Sequence, residues 1–348
     1  AASDVYKRQL RQDKALLSCV GDMLAEEKLY KSHLIGGRTD FHDVFTFVRP
    51  YFAASDLTIG NLETMLCAAA PYTGEQYKVD GKYHCNAPQS FLDAVRQAGF
   101  DFLMLANNHN LDCGAAGIRE TLGRIDDAGL MRTGLFAGPA ERRFALVEVN
   151  GIRLALLSWS TWYNRNETRL TDEGRRALLN EYAPDRAASD IAAARAEGAQ
   201  LVIVYVHWGQ EHEYDITEGQ QTAGRAAIDA GADLGVGSHP HVVQGWEVYQ
   251  GRYIVYSLGN FCFGGNTVNH IDSFCSFFAV NCGDIYAAVF FNINFSAGFF
   301  NNLFNGFAAG ANNFADFFGV NMNGGNFRSV FGQFFARFGD AVKHNAHK

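Results

Sequence analysis

The chain has 348 residues, enough to bury a sizeable core without a metal or disulfide staple. Its 29 basic and 37 acidic residues leave a net charge of -8, which excludes a sequence-independent grip on nucleic-acid phosphates and suits a small or neutral substrate. Seven cysteines, none in a Cys-x-x-Cys pair, exclude a structural zinc ribbon and read mostly as reduced, buried, small apolar residues.

Residues 1–14 form a polar lead-in without an apolar run, so neither a signal peptide nor a spanning helix is expected there. From Ala15 to about Gly265 a short apolar run, a polar loop and a helix recur, the pattern of a mostly parallel sheet covered by helices. The apolar runs are Ala15–Val20, Leu57–Ile59, Phe102–Leu105, Leu154–Leu157, Leu201–Val206 and Leu234–Val236. Helices are predicted over Pro88–Ala98, Gly117–Ala128, Ala187–Glu197 and Gly219–Ala230, with Gly99, Gly129, Gly198 and Gly231 as their stop signals. Trp246–Tyr249 and Tyr253–Ser257 flank Gln250-Gly251 and predict an antiparallel hairpin.

Residues 266–348 change in composition: 18 of the 29 Phe fall there among Asn and Gly, and clear periodicity is lost. An unusual second module, a self-associating or membrane-adhesive segment, and residues that do not continue the domain all fit this tail. Asn and Gly interrupt every apolar stretch, so no transmembrane helix is expected in it.

Chemistry concentrates just past the apolar runs. Asp22 follows the first, Asn61-Leu62-Glu63 the second and Asn107-Asn108-His109 the third. His207-Trp208-Gly209 ends the Leu201–Val206 run, and Gly237-Ser238-His239-Pro240-His241 closes the Leu234–Val236 run. Residues past the carboxyl ends of parallel strands converge on one rim, where ligands bind. Carboxylates, imidazoles and an amide oxygen suit one or two divalent ions of the zinc, manganese or iron kind. Taken singly, Asp22 fits a turn cap, Glu63 a solvated loop charge, Asn108 a left-handed turn, and His109 or His207 a hydrogen-bonded structural residue. Recurrence at one topological place favours the metal reading, as do two His at i and i+2 around Pro240, which biases His239 towards an extended backbone. Asp112, three residues past His109, either fixes that imidazole as a general acid or caps the next helix. Trp208, Tyr214, Trp246 and Tyr249 fit pocket walls or core.

The segments Val20-Gly21-Asp22, Asp56 to Glu63, Ala106-Asn107-Asn108-His109 with Asp112 and Gly114, and His207-Trp208-Gly209 resemble the bacterial CapA capsule and poly-γ-glutamate synthesis family in order and spacing. So do Gly231-Ala232-Asp233, Gly237 to His241, and Tyr256-Ser257-Leu258-Gly259-Asn260-Phe261. The resemblance spans 15–265 and extends to the calcineurin-like metallophosphatase superfamily. It implies a layered α-β-β-α sandwich with Asp22, Glu63, Asn108, His207, His239 and His241 as metal ligands. By the same resemblance His109 is the catalytic acid with Asp112 behind it, and Asn61 and Asn260 line the site; Trp208 joins them as a substrate-binding candidate on the aromatic reading, not on the resemblance. Leu24 and Glu63 depart from the superfamily, which has His and Asp at those motif positions.

The function expected on this basis is a metal-dependent hydrolase or transferase of capsule or poly-γ-glutamate metabolism, with metal-bound hydroxide attacking and His109 protonating the leaving group. Its partner would be the polymer or a related small substrate. The rivals are a non-catalytic polymer-binding or export factor of a membrane capsule-synthesis complex, and an intracellular phosphoesterase or nucleotidase. The family implies association with the cell envelope, and a cytoplasmic location stays open.

Overall fold

A computed structural model describes residues 14–73, 84–264, 274–281 and 284–292. The chain runs through β1 (Lys14–Met23), α1 (Glu27–Ser32), a small hairpin of β2 (Leu34–Ile35) and β3 (Arg38–Thr39), α2 (Arg49–Phe52) and β4 (Leu57–Leu62). Then come α3 (Gln89–Ala98), β5 (Phe102–Met104), α4 (Gly114–Asp127), β6 (Met131–Thr133), β7 (Ala145–Val149) and β8 (Ile152–Ser160). The second half carries α5 (Asp172–Leu178), α6 (Pro184–Ala196), β9 (Leu201–His207), α7 (Glu218–Asp229) and β10 (Leu234–Ser238). It closes with β11 (Val243–Tyr249), β12 (Arg252–Leu258), β13 (Asn260–Cys262), β14 (Phe274–Asn281) and β15 (Asp284–Asn292).

Two sheets form. The first is ordered β15-β14-β1-β4-β5-β6, with β13 pairing the end of β1; the second is ordered β11-β12-β10-β9-β8-β7. Contiguous strands β1, β4, β5 and β6 are parallel, as are β12, β10, β9 and β8, with antiparallel partners at the edges. Alternation along each strand explains the layers. Ala15, Leu17 and Cys19 of β1 face the inter-sheet core with Ile59, Phe102, Leu156, Ile203 and Val236, while Leu16 and Val20 face outward onto Phe91, Leu92 and Ile118 of α3 and α4. On the far side Ala155, Val202 and Val204 pack on Ile191 of α6 and Ala227 of α7. The result is an α-β-β-α sandwich.

The four glycines expected to stop helices all have positive φ: Gly99, Gly129, Gly198 and Gly231. The expected Gln250-Gly251 hairpin is present, and both turn residues have positive φ. A second hairpin, β7 to β8 around Asn150-Gly151, carries the same signal and is absent from the sequence reading, which began β8 two residues late. Beyond Gly265, where sequence reading found no periodicity, β14 pairs β1 over Lys14 to Val20, with Ser276, Phe278 and Val280 buried at alternate positions. Among the described residues no helix is long and apolar enough to cross a membrane.

Candidate metal centre

The carboxyl ends of strands from both sheets meet. Asp22 lies in the last turn of chain of β1, Glu63 just past β4, and Asn108 past β5; His207 ends β9, and His239 and His241 follow β10. Gly21 lets the β13 segment approach: a Cβ there would lie 2.0 Å from the Gly259 carbonyl, which accepts from the Asp22 N–H at 3.0 Å.

All six predicted ligands are buried, and their polar atoms converge. His207 Nε2 lies 3.0 Å from Asn108 Oδ1 and 3.3 Å from Glu63 Oε1. His241 Nδ1 is 3.4 Å from Asp22 Oδ2, and its Nε2 is 3.9 Å from Glu63 Oε1. The His207 and His239 rings are 4.6 Å apart. Ligands bound at about 2.1 Å are separated by about 3.0–3.4 Å along the edges of an octahedral or tetrahedral shell, a range that holds both His207 Nε2 distances. Two three-residue groups, Asp22–Glu63–His207 and Glu63–His239–His241, each have ligating atoms within 4.8 Å of one another, and Glu63 belongs to both.

Both Glu63 oxygens and His239 Nδ1 are buried without a hydrogen-bond partner. Such groups are costly unless a cation satisfies them. His207 Nδ1 lies 3.0 Å from Ser238 Oγ. In the tautomer that donates this proton to Ser238, the Nε2 lone pair would face the Asn108 and Glu63 oxygens and could share a cation with them, whereas the other tautomer donates Nε2–H to Asn108 Oδ1. The donor set therefore fits one or two divalent cations.

The buried acids and imidazoles shift one another strongly. Burial pushes the Asp22 carboxyl up, but hydrogen bonding and charge from His241, then His207 and Asn61, hold it at about 2. Burial and the Asp22 charge raise Glu63 well above the ordinary carboxylate range. Burial lowers His207 to about 3 and, with its His neighbours, His239 to about 2, while Glu63 and Asp22 outweigh burial at His241 and raise it to about 9.

His109 Nδ1 donates to Asp112 Oδ2 at 2.7 Å, and the Cys85 N–H donates to the same oxygen at 2.7 Å. Burial opposes protonation of His109, but Cys85 and Asp112 raise it well above the ordinary imidazole value. The capping alternative for Asp112 is not realised, because Cys113 is the N-cap of α4 and that end has no side-chain cap.

Several expectations need correction. His239 is not extended: it has φ +97 and His241 φ +58, and these strained backbones flank Pro240 where both rings turn into one cleft. Trp208 is a core residue, its buried indole donating to the Tyr256 carbonyl at 2.8 Å beneath α7. Asn61 and Asn260 use their amides on the ligands: Asn61 Nδ2 donates to Asp22 Oδ1 at 2.7 Å, and Asn260 Oδ1 accepts from His241 Nδ1 at 2.9 Å. Trp246 packs on Tyr253 in the β11–β12 hairpin, and the Tyr249 hydroxyl bonds Asp229; Tyr214 is half exposed.

Sequence reasoning missed the loop past β8. Asn164 Oδ1 accepts from Asn108 Nδ2 at 3.3 Å and from Trp162 Nε1 at 2.8 Å, and Asn166 Nδ2 donates to Asp112 Oδ1 at 3.5 Å. Asn164 and Arg165 have φ +55 and +58, and Trp162 is 41% exposed. The signal was the same one that found the other loops, a polar cluster past a parallel strand.

A family model described as bacterial capsule synthesis protein PGA_cap matches residues 16–265. Capsule biosynthesis protein CapA of Bacillus anthracis is 32% identical over 255 residues, covering 72% of this chain and 60% of that protein. PGA biosynthesis protein CapA of Bacillus subtilis is 31% identical over 253 residues, covering 71% of this chain and 62% of that protein. The chain thus spans about three fifths of the length of these relatives. Among solved structures, calcineurin-like phosphoesterase YfkN from Bacillus subtilis superposes with a TM-score of 0.51 at 14% identity, over 82% of this chain and 92% of that chain, a likeness of fold.

Proposed function

The chain belongs to the bacterial capsule synthesis protein family PGA_cap, and from that premise we propose that its buried cluster is the hydrolytic centre of a metal-dependent hydrolase or transferase acting on capsule or poly-γ-glutamate material. Asp22, Glu63, Asn108, His207, His239 and His241 would hold one or two divalent cations of the manganese, zinc or iron kind. Such cations lower the pKa of water and polarise a phosphoryl or carbonyl oxygen. Glu63 carries this reading: it is fully buried, both its oxygens lack a hydrogen-bond partner, and it is common to both ligand groups.

The chain's own groups do the rest. Asp112 accepts from His109 Nδ1, which fixes the imidazole so that Nε2 carries the proton for a departing oxygen or nitrogen. Asn61 and Asn260 set the orientation of Asp22 and His241, and Ser238 that of His207. Asn164 connects Asn108 to the exposed Trp162, which places an aromatic face beside the cluster for substrate. The net charge of -8 gives no long-range pull on a polyanion, so attraction would be local to the cation and imidazole cluster.

The test pairs elemental analysis with assays on model phosphoesters and γ-glutamyl peptides. Stoichiometric metal and turnover are expected in the wild type. His109→Ala should keep the metal and lose about 100-fold or more in kcat, the usual range for removing a general acid. Asn108→Ala should weaken metal beside His207, and His239→Ala should lose only the metal of the Glu63–His239–His241 group. A wild type that binds metal, turns over neither substrate class and binds polymer through the same residues would replace the enzyme with a polymer-binding assembly factor.

A further inference from the structure

Five free cysteines among the described residues have different surroundings. Cys19 and Cys262 lie in apolar core, and Cys85 lies beside His109 and Asp112. Cys67 and Cys113, 46 positions apart in sequence, both lie against Gly117. A Cβ at Gly117 would come within 2.3 Å of Cys113 Cβ and 3.7 Å of both Cβ and Sγ of Cys67. Glycine inside a helix costs up to about 1 kcal/mol relative to alanine, and here its missing side chain is the space in which the two cysteines meet.

The approach does not depend on the sulfurs. Loop 66–68 is fastened to α4 by Leu66 N–H on Thr121 Oγ1 and Ala68 N–H on Glu120 Oε1, each at 2.9 Å, and the Cys67 N–H donates to Asn86 Oδ1 at 2.8 Å. Cys113 is the N-cap of that same helix. Both partners are thus held by backbone bonds on either side of Gly117.

We propose that Cys67 and Cys113 form a thiol pair that closes to a disulfide on exchange with a small-molecule disulfide, stapling the loop after Glu63 to the helix after Asp112. Cys113, the more exposed of the two, attacks first as thiolate, joining one half of the small disulfide and expelling the other as a thiolate. The Cys67 thiolate then attacks the Cys113 sulfur and expels the second half. Two protein thiols are oxidised by two electrons, the small disulfide is reduced to two thiols, and the two protein protons end on those leaving groups. Burial raises both protein thiols, so the exchange is slow and the product is a staple, not a rapid sensor. The inference is independent of the metal reading.

The experiment treats the whole purified chain with oxidised glutathione, blocks remaining thiols by alkylation and maps the peptides. A 67–113 cross-link in most molecules is expected, with a rise in thermal midpoint of about 5 °C that dithiothreitol reverses. Cys67→Ser and Cys113→Ser should each lose the cross-link and the rise, and Cys85→Ser should keep both. Wild-type mapping alone decides the matter if a variant fails to fold. A glutathione adduct that persists on Cys113, or recovery of both thiols unmodified from folded protein, overturns the pair; a cross-link with an unmoved midpoint overturns the staple.

Discussion

The two sheets bring opposite chemistries to one cleft. The rim of the first supplies oxygen from Asp22, Glu63 and Asn108, and the rim of the second supplies nitrogen from His207, His239 and His241. Each half is driven towards its neutral state where the other does not compensate: Glu63 is raised, and His207 and His239 are lowered. Neither sheet holds three of the proposed charged or imidazole ligands of one group by itself, so each group exists only while the inter-sheet core of Leu17, Ile59, Leu156 and Ile203 keeps the rims in register. A cation in the cleft would therefore act as a bond between sheets, adding stability in proportion to its binding.

The largest expected effect comes from breaking the two halves unequally. Glu63→Gln removes the one residue common to both groups and should weaken metal at both, by more than the roughly hundredfold reached by losses in the outer shell. His207→Ala and His239→Ala each touch one group, so elemental analysis should find one equivalent retained in each where Glu63→Gln retains none. Equal losses in all three would mean a single mononuclear position, and the proposed bridging role of Glu63 would be wrong.

The same comparison shows what sequence could reveal. Acid, amide and imidazole clusters past β1, β4, β5, β9 and β10 were readable because parallel strands end on one side, whichever sheet they belong to. That the strands divide between two sheets was implied by the resemblance and not by the apolar runs, which look alike in both. Trp208 was misplaced by proximity to His207, although successive strand residues face opposite sides: with His207 turned into the cleft, Trp208 turns towards the helix layer. Trp162 and Asn164 were missed because β8 was read as ending at Leu157, whereas it runs to Ser160 and delivers the next loop to the rim. The Pro240 bias was sound as a local preference and lost to the demand of two rings for one site, as φ +97 at His239 records.

A middle-sized effect sharpens the contrast between the halves. In the first sheet an amide, Asn61, steadies the carboxylate of Asp22; in the second a hydroxyl, Ser238, steadies the imidazole of His207. Ser238→Ala should leave the fold intact and weaken metal at the His207 group about tenfold, with the His239–His241 group unchanged. Competition with a chelator measures it. Ser238→Thr should restore affinity because it keeps the hydroxyl, and a Thr variant as weak as Ala would show that packing, not the hydrogen bond, sets the His207 ring.

The smallest effect lies behind the first rim, where loop 66–68 is tied to α4. Glu120 Oε1 accepts from the Ala68 N–H at 2.9 Å and from Arg124 at 2.8 Å; that backbone bond, opposed by burial and helped by Cys67 and Arg124, lowers its carboxyl from 4.5 to about 2. An acid depressed on folding contributes stability above its unfolded value and loses it as pH falls towards the folded one, so this contribution should vanish between pH 4.5 and about 2. The side chain is 31% exposed, and solvent screening limits the contribution to under about 1 kcal/mol. Glu120→Gln keeps an oxygen for Ala68 but has no charge to lose, so its unfolding midpoint should fall less steeply than that of the wild type across this acid window. Parallel slopes would assign the acid sensitivity to other titrating groups, the depressed imidazoles His207 and His239 among them.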